Sequence, residues 1–399
     1  MKKIASSLLL FSIAYLTIGQ TPVNQKFGDG IFNVIAVDSS WSMKFGARFQ
    51  TLFVGDFQVS EKEGIQEANS NFQVRRARLK FNGFAYSPKL EYKIELGLSS
   101  GDLSGASIES SHSSRMVYDA VLKWNFHSNF YLWAGQTKLP GNRERVVSSG
   151  NLQFVDRSLL NKNYNIDRDI GIQLRHHFTL GEQFLVREIL AISQGDGRNV
   201  NVGNLGGYEY TGRIEFLPFG NFSSKGDYVG SDIKREQKPK LAIGISYDIN
   251  NRAVRERGNM GSFMRNDVGY HEADIETLFA DLMFKYKGFS IMAEYADKQT
   301  DIHFASHSDG SLTGDHVNAG TGLNLQAGYL FMSNWELAAR YTSIEPAKEI
   351  NQSIVNQYTL GTSKYIVGHK LKVQADISYT TQDRIDDHYQ YRLQFDIHF

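Results

Sequence analysis

Apolar and polar residues alternate with a period of two along most of the chain. The last eleven residues, Tyr389 to Phe399, place Tyr389, Tyr391, Leu393, Phe395, Ile397 and Phe399 on one face of a strand. Gln390, Arg392, Gln394, Asp396 and His398 fall on the other. The same period recurs at Phe72–Tyr86, where Ala77, Leu79 and Phe81 oppose Arg76, Arg78 and Lys80. It recurs at Lys89–Leu98, where Leu90, Tyr92 and Ile94 oppose Glu91, Lys93 and Glu95. Further strands are expected at Met43–Phe53, Val117–Phe126, Phe130–Thr137, Asp169–Phe178, Phe184–Ser193, Tyr208–Leu217, Leu241–Asn250 and Asp274–Tyr286. Phe289–Lys298, Gly320–Phe331, Trp335–Ser343, Gln357–Val367 and Lys370–Thr380 complete sixteen with the C-terminal strand. A strand with one apolar and one charged face, repeated an even number of times, is the pattern of a transmembrane barrel.

Connection lengths sort by parity. The segments 54–71, 99–116, 138–168, 251–273 and 299–319 are long and follow odd strands. Those at 87–88, 127–129, 287–288, 332–334 and 368–369 are short and follow even ones. Outer-membrane barrels have long extracellular loops and short periplasmic turns. The segment 218–240 breaks the rule: it is long on the short side. Tyr86, Tyr118, Tyr131, Trp133, Tyr208, Trp335 and Tyr389 lie near strand ends and are expected in interfacial girdles.

Composition agrees. Apolar residues are only 41%, yet aromatics reach 13%, as half-wet, half-lipid-facing strands require. Lys2, Lys3 and the apolar run Ile4 to Ile18 form a signal peptide, residues 1–19. A short periplasmic segment, 20–40, then precedes a barrel over 41–399. Zero formal charge gives no global pull toward nucleic acid, and zero cysteines exclude disulfides and thiol chemistry. No zinc, P-loop or GxSxG signature appears, so no cofactor, metal or enzyme activity is expected.

Candidate chemistry is therefore lumenal charge. Barrel closure makes the two last and two first strands contiguous, which gathers Lys370, Lys372, Arg392, Arg48, Arg76, Arg78 and Lys80 into a basic stripe. Arg76, Arg78 and Lys80 form a column suited to handing an oxyanion from donor to donor. The long segment after the fifth strand holds Arg143, Arg145 and Arg157, and its length points to a third loop folded inward as a constriction. Neighbouring inner faces also carry Glu91, Glu95, Asp119, Glu209, Glu215, Asp281, Glu294 and Glu336, so the wall as a whole is mixed.

Phe72-Gln-Val-Arg-Arg-Ala-Arg-Leu-Lys-Phe-Asn-Gly83 resembles the arginine-rich second strand of the phosphate-selective porin O/P family. Gly135-Gln-Thr-Lys-Leu-Pro140, Leu152–Leu160, Arg168-Asp-Ile-Gly171 and Leu217-Pro-Phe-Gly220 also fit that family. The resemblance covers about residues 41–399. It implies a sixteen-stranded outer-membrane barrel, a homotrimer, an inward third loop and uptake of small anions such as phosphate. Arg76, Arg78 and Lys80 would be pore-wall cations, and Arg143, Arg145 and Arg157 loop cations. Phe399 resembles the terminal signal read by barrel-insertion machinery. The alternatives are a non-selective diffusion pore, a binding or adhesion barrel acting through its loops, and a barrel hydrolase.

Overall fold

The computed structural model describes residues 26–60, 64–383 and 385–399. The expected signal peptide, 1–19, lies outside them, as does the start of the 20–40 segment.

Sixteen antiparallel strands form one sheet closed on itself. They are β1 Ser42–Ser60, β2 Gly64–Ala85, β3 Ser87–Gly97, β4 Val117–His127, β5 Phe130–Lys138, β6 Arg168–Leu180, β7 Phe184–Ser193 and β8 Glu209–Leu217. The second half comprises β9 Lys240–Ala253, β10 Ala273–Tyr286, β11 Phe289–Thr300, β12 Gly320–Leu330, β13 Trp335–Pro346, β14 Val355–Tyr365, β15 Leu371–Gln382 and β16 Ile385–His398. Closure is made by β1 against β16, from Arg48↔His398 to Val59↔Asp387. A short strand, Phe32–Ile35, pairs with the start of β1 below the point where β16 ends.

The burial pattern is inverted relative to a soluble sheet. Leu360 is 65% exposed while Thr359 beside it is 2% exposed. Leu337 and Glu336 repeat this at 59% and 1%. An apolar outside around a polar inside is stable only when the outside faces lipid.

The largest departure from expectation is at the first loop. Residues 54–71 are mostly not a loop: β1 runs to Ser60 and β2 begins at Gly64. Their 19 and 22 residues exceed the roughly 9–11 that span a bilayer. This hairpin therefore projects beyond the membrane, stitched by ring pairs such as Phe53–Phe72 at 4.5 Å. Its period is hidden by two register shifts, between Gln50 and Thr51 and between Asp56 and Phe57.

The third loop, L3, spans 139–167 and enters the lumen. It carries two short helices, α1 Arg143–Val146 and α2 Leu159–Tyr164. Ser158 caps α2 by accepting from the Asn161 amide at 3.2 Å, and its hydroxyl donates to Glu144 at 2.6 Å. Leu139, Leu160, Tyr164 and Ile166 pack with Ala191, Phe279, Ala296 and Ile344 of the wall, giving the loop its own apolar footing inside the barrel.

Candidate functional site: a basic path through the lumen

Two cavities of about 960 and 1060 Å³ occupy the open part of the barrel. The upper one reaches His316 and Gln352 at the long-loop side. The lower one descends the β2–β6 wall to Lys225 and Lys370 at the short-turn side. Arg75, Arg76, Arg145, Arg157 and Glu256 line both, so four arginines and one carboxylate frame their junction.

Two of these arginines arise from one irregularity in β2. The register steps from Gln50↔Arg76 to Thr51↔Val74, leaving Arg75 as a bulged residue. A bulge lets adjacent side chains share a face. Arg75 and Arg76 therefore both reach Asp156 of L3, at 3.2 and 3.5 Å. The strict alternation read from the sequence missed Arg75 for this reason. The opposite side of the junction comes from L3. Arg145 is paired with Asp167. Arg157 donates to two backbone carbonyls, Glu144 at 2.9 Å and Val147 at 2.7 Å. Burial alone would raise the Asp156 carboxyl, but Arg75, Arg76 and Arg392 hold it below the usual carboxylate range.

Below the junction, Arg78 bonds Glu95 at 3.1 Å and Asp102 at 3.0 Å, and Lys80 stands 3.9 Å from Glu95. Lys93 bridges Glu95 and Asp119, and Arg168 also reaches Asp119. Tyr118 lies at the centre of this wall. Alternation puts it among the outer aromatics, yet the register shift between Glu95 and Leu96 turns it inward beside Asp119. Arg78, Arg168 and Arg198 stand 4.0, 4.9 and 3.8 Å from its ring centroid. Its hydroxyl donates to Asp102 at 2.6 Å. Trp133 is also lumenal, with Lys123 and Arg175 over its ring at 4.2 and 3.8 Å. Gly135 permits the β4–β5 approach: its φ is +125°, and a Cβ there would lie 2.2 Å from the Ala120 carbonyl.

Three more arginines come from separate loops above this wall: Arg115, Arg198 and Arg255. Among the described residues none of them has an ion-pair partner. Burial, with repulsion from Arg115 and Arg257, pulls the Arg255 guanidinium down to about 9. In all, the lower cavity is lined by seventeen lysines and arginines against five carboxylates.

The expected cations separate into two groups. Arg76, Arg78, Lys80, Arg145, Arg157, Lys370 and Arg392 line one or both cavities. Arg48, Arg143 and Lys372 line neither. L3 covers the β15–β16–β1 wall and consumes their donors. Arg48 holds Asp396 at 2.7 Å and the Ser149 hydroxyl at 2.6 Å. Lys372 donates to the Leu152 carbonyl at 3.1 Å. Arg143 is fully buried between Asp281 at 2.7 Å and Glu215 at 3.1 Å. These three anchor the loop, and the basic stripe continues as a path on β2–β6 instead.

The family model for phosphate-selective porin O and P matches residues 44–219, which carry β1–β8 and L3. The chain is a porin of the Gram-negative outer membrane. Among solved structures, the porin resembles the anion-selective porin from Comamonas acidovorans with a TM-score of 0.55 at 8% identity, covering 90% of this chain and 100% of that one. It resembles the outer membrane channel DcaP of Acinetobacter baumannii at 0.53 and 12%, covering 90% and 98%. The trimer form of OmpT from Vibrio cholerae gives 0.51 and 12%, covering 90% and 99%. At these identities the likeness speaks for the fold. An uncharacterized protein of Aquifex aeolicus is 22% identical over 344 residues, 79% of the porin and 77% of its own length. The arginine-rich β2 and the inward L3 both lie inside the matched part of the porin.

Proposed function

We propose that this porin is a passive channel preferring small anions, with phosphate as the first candidate. The observation that carries the reading is the lining of the lower cavity, seventeen basic side chains to five acidic ones. Sequence alone showed a mixed wall because it summed all inner faces. Glu209, Glu215, Asp281, Glu294 and Glu336 are buried and line neither cavity. Glu215 and Asp281 are spent on Arg143 and Arg213. The solute thus meets a far more basic surface than the barrel average. Arginine and lysine along a confined path favour anions because guanidinium forks replace part of the hydration shell.

The anion would pass from the upper cavity through the four-arginine junction and reach Arg115, Arg198 and Arg255 in the lower one, where a bound oxyanion relieves their mutual repulsion. It would then descend past Tyr118 toward Lys225 and Lys370. No covalent step is involved. The family name and the likeness to the anion-selective Comamonas porin favour anions, and the trimer form of OmpT favours a homotrimer. Residues 1–19 would be removed on export, 20–40 would remain periplasmic, and the strand ending at Phe399 would be read by the insertion machinery. Inhibition of chloride current through single channels by added phosphate tests the solute. Block at low phosphate concentration is expected; equal block by a matched cation would sink the reading.

A further inference from the structure

The long turn between β8 and β9, residues 218–239, rises into the lumen from the short-turn side and meets L3. Its Phe222 sits in an apolar cluster with Leu185, Leu217, Ala242, Met283 and Met292. The Lys285 ammonium donates to three of its carbonyls: Gly226 at 2.8 Å, Val229 at 2.7 Å and Ser231 at 2.5 Å. The Ser231 hydroxyl donates to Glu336 at 2.6 Å. At its tip, the Gly230 amide donates to the Asn151 carbonyl of L3 at 2.6 Å. His369 and Lys372 complete the clasp. His369 Nε2 donates to the Gly230 carbonyl at 2.9 Å, Lys372 donates to Leu152 of L3, and the two side chains meet at 3.1 Å. The contact is too close for a side chain: a Cβ on Gly230 would lie 2.6 Å from the Gln153 amide nitrogen.

We infer that this turn is a second constriction element, locked to L3 backbone to backbone, which closes the β7–β15 side of the lumen below the upper cavity and confines solutes there to the basic β2–β6 side. The turn also lends the path two side chains, Lys225 and Tyr228, near its lower exit. It is thus a specificity-determining segment as well as a wall. Without it, a solute could bypass the lower basic surface through the opposite half of the barrel. The inference rests on the channel reading above.

The test replaces residues 220–237 with a short Asn-Gly turn and compares single-channel conductance and reversal potential with those of the unaltered porin. Conductance should rise at least about twofold, toward that of a sixteen-stranded barrel with an open lumen, and anion preference should fall. Unchanged conductance and selectivity would overturn the inference. Gly230→Val is the companion variant should the shortened protein fail to insert. It wedges the clasp without removing the turn, and larger or flickering currents are expected. Steady currents of unaltered size would overturn the inference. An unaltered porin that passes no current would instead sink the channel reading itself.

Discussion

Arg76 of β2 and Asp156 of L3 stand 3.5 Å apart where the two lumen cavities join. The pair ties the strand column to the inward loop and places a carboxylate within a ring of arginines. That carboxylate offsets part of the charge a passing anion would feel. Replacing Asp156→Asn keeps the side-chain shape and removes the offset. Anion preference is therefore expected to increase, while Arg157→Gln, across the junction, should reduce it. Reversal potentials of the two variants should move in opposite directions. A shift of both in the same direction would count against the junction as the selective point.

Arg143 should behave differently from Arg157, although both are cations of L3. It is fully buried between two carboxylates, so Arg143→Gln leaves Asp281 and Glu215 short of a partner. Breaking a buried pair from one side costs about 3–5 kcal/mol. The expected result is a lower unfolding temperature and noisy current from a loosened L3, with ion preference much less affected. A quiet, stable channel with altered selectivity would contradict the anchor role.

The extracellular loops carry a tie with its own pH signature. Glu109 accepts from Arg265 at 2.7 Å and from the Tyr270 hydroxyl at 2.8 Å. Burial would raise its carboxyl, but hydrogen bonds from Ser107 and Arg265 lower it to about 2. A depressed carboxyl stabilises the folded loops above its unfolded value and loses that contribution as pH falls toward the folded one. Loop order around 107–111 should thus persist through pH 4 and fail only as pH nears about 2. Amide exchange measured across that range, with Glu109→Gln as reference, checks it. Loss of protection already at pH 5 would refute it.

The barrel was legible because lipid on one side and water on the other impose a period of two over every strand. All sixteen strands are found where alternation places them, with ends that differ by a few residues apart from the β1–β2 hairpin. The site was legible only where that period holds. Arg76, Arg78 and Lys80 follow it and line the path. Arg75 and Tyr118 sit at register shifts, where a two-residue period points the wrong way. Arg48 and Lys372 follow the period faithfully, yet L3 lies on top of them. Nothing local in the sequence says which wall an inward loop will cover. The length of 218–240 on the short-turn side was the one visible sign that the lumen holds a second inward segment.

The central claim is that the open path is anion-preferring because its lining is basic. Reversal potential of the purified porin in a planar bilayer across a potassium chloride gradient tests it most directly. The account predicts a potential of the sign set by chloride, which shrinks when Arg75, Arg76 and Arg157 are together replaced by Gln. A potential of the sign set by potassium, or none at all, would contradict it.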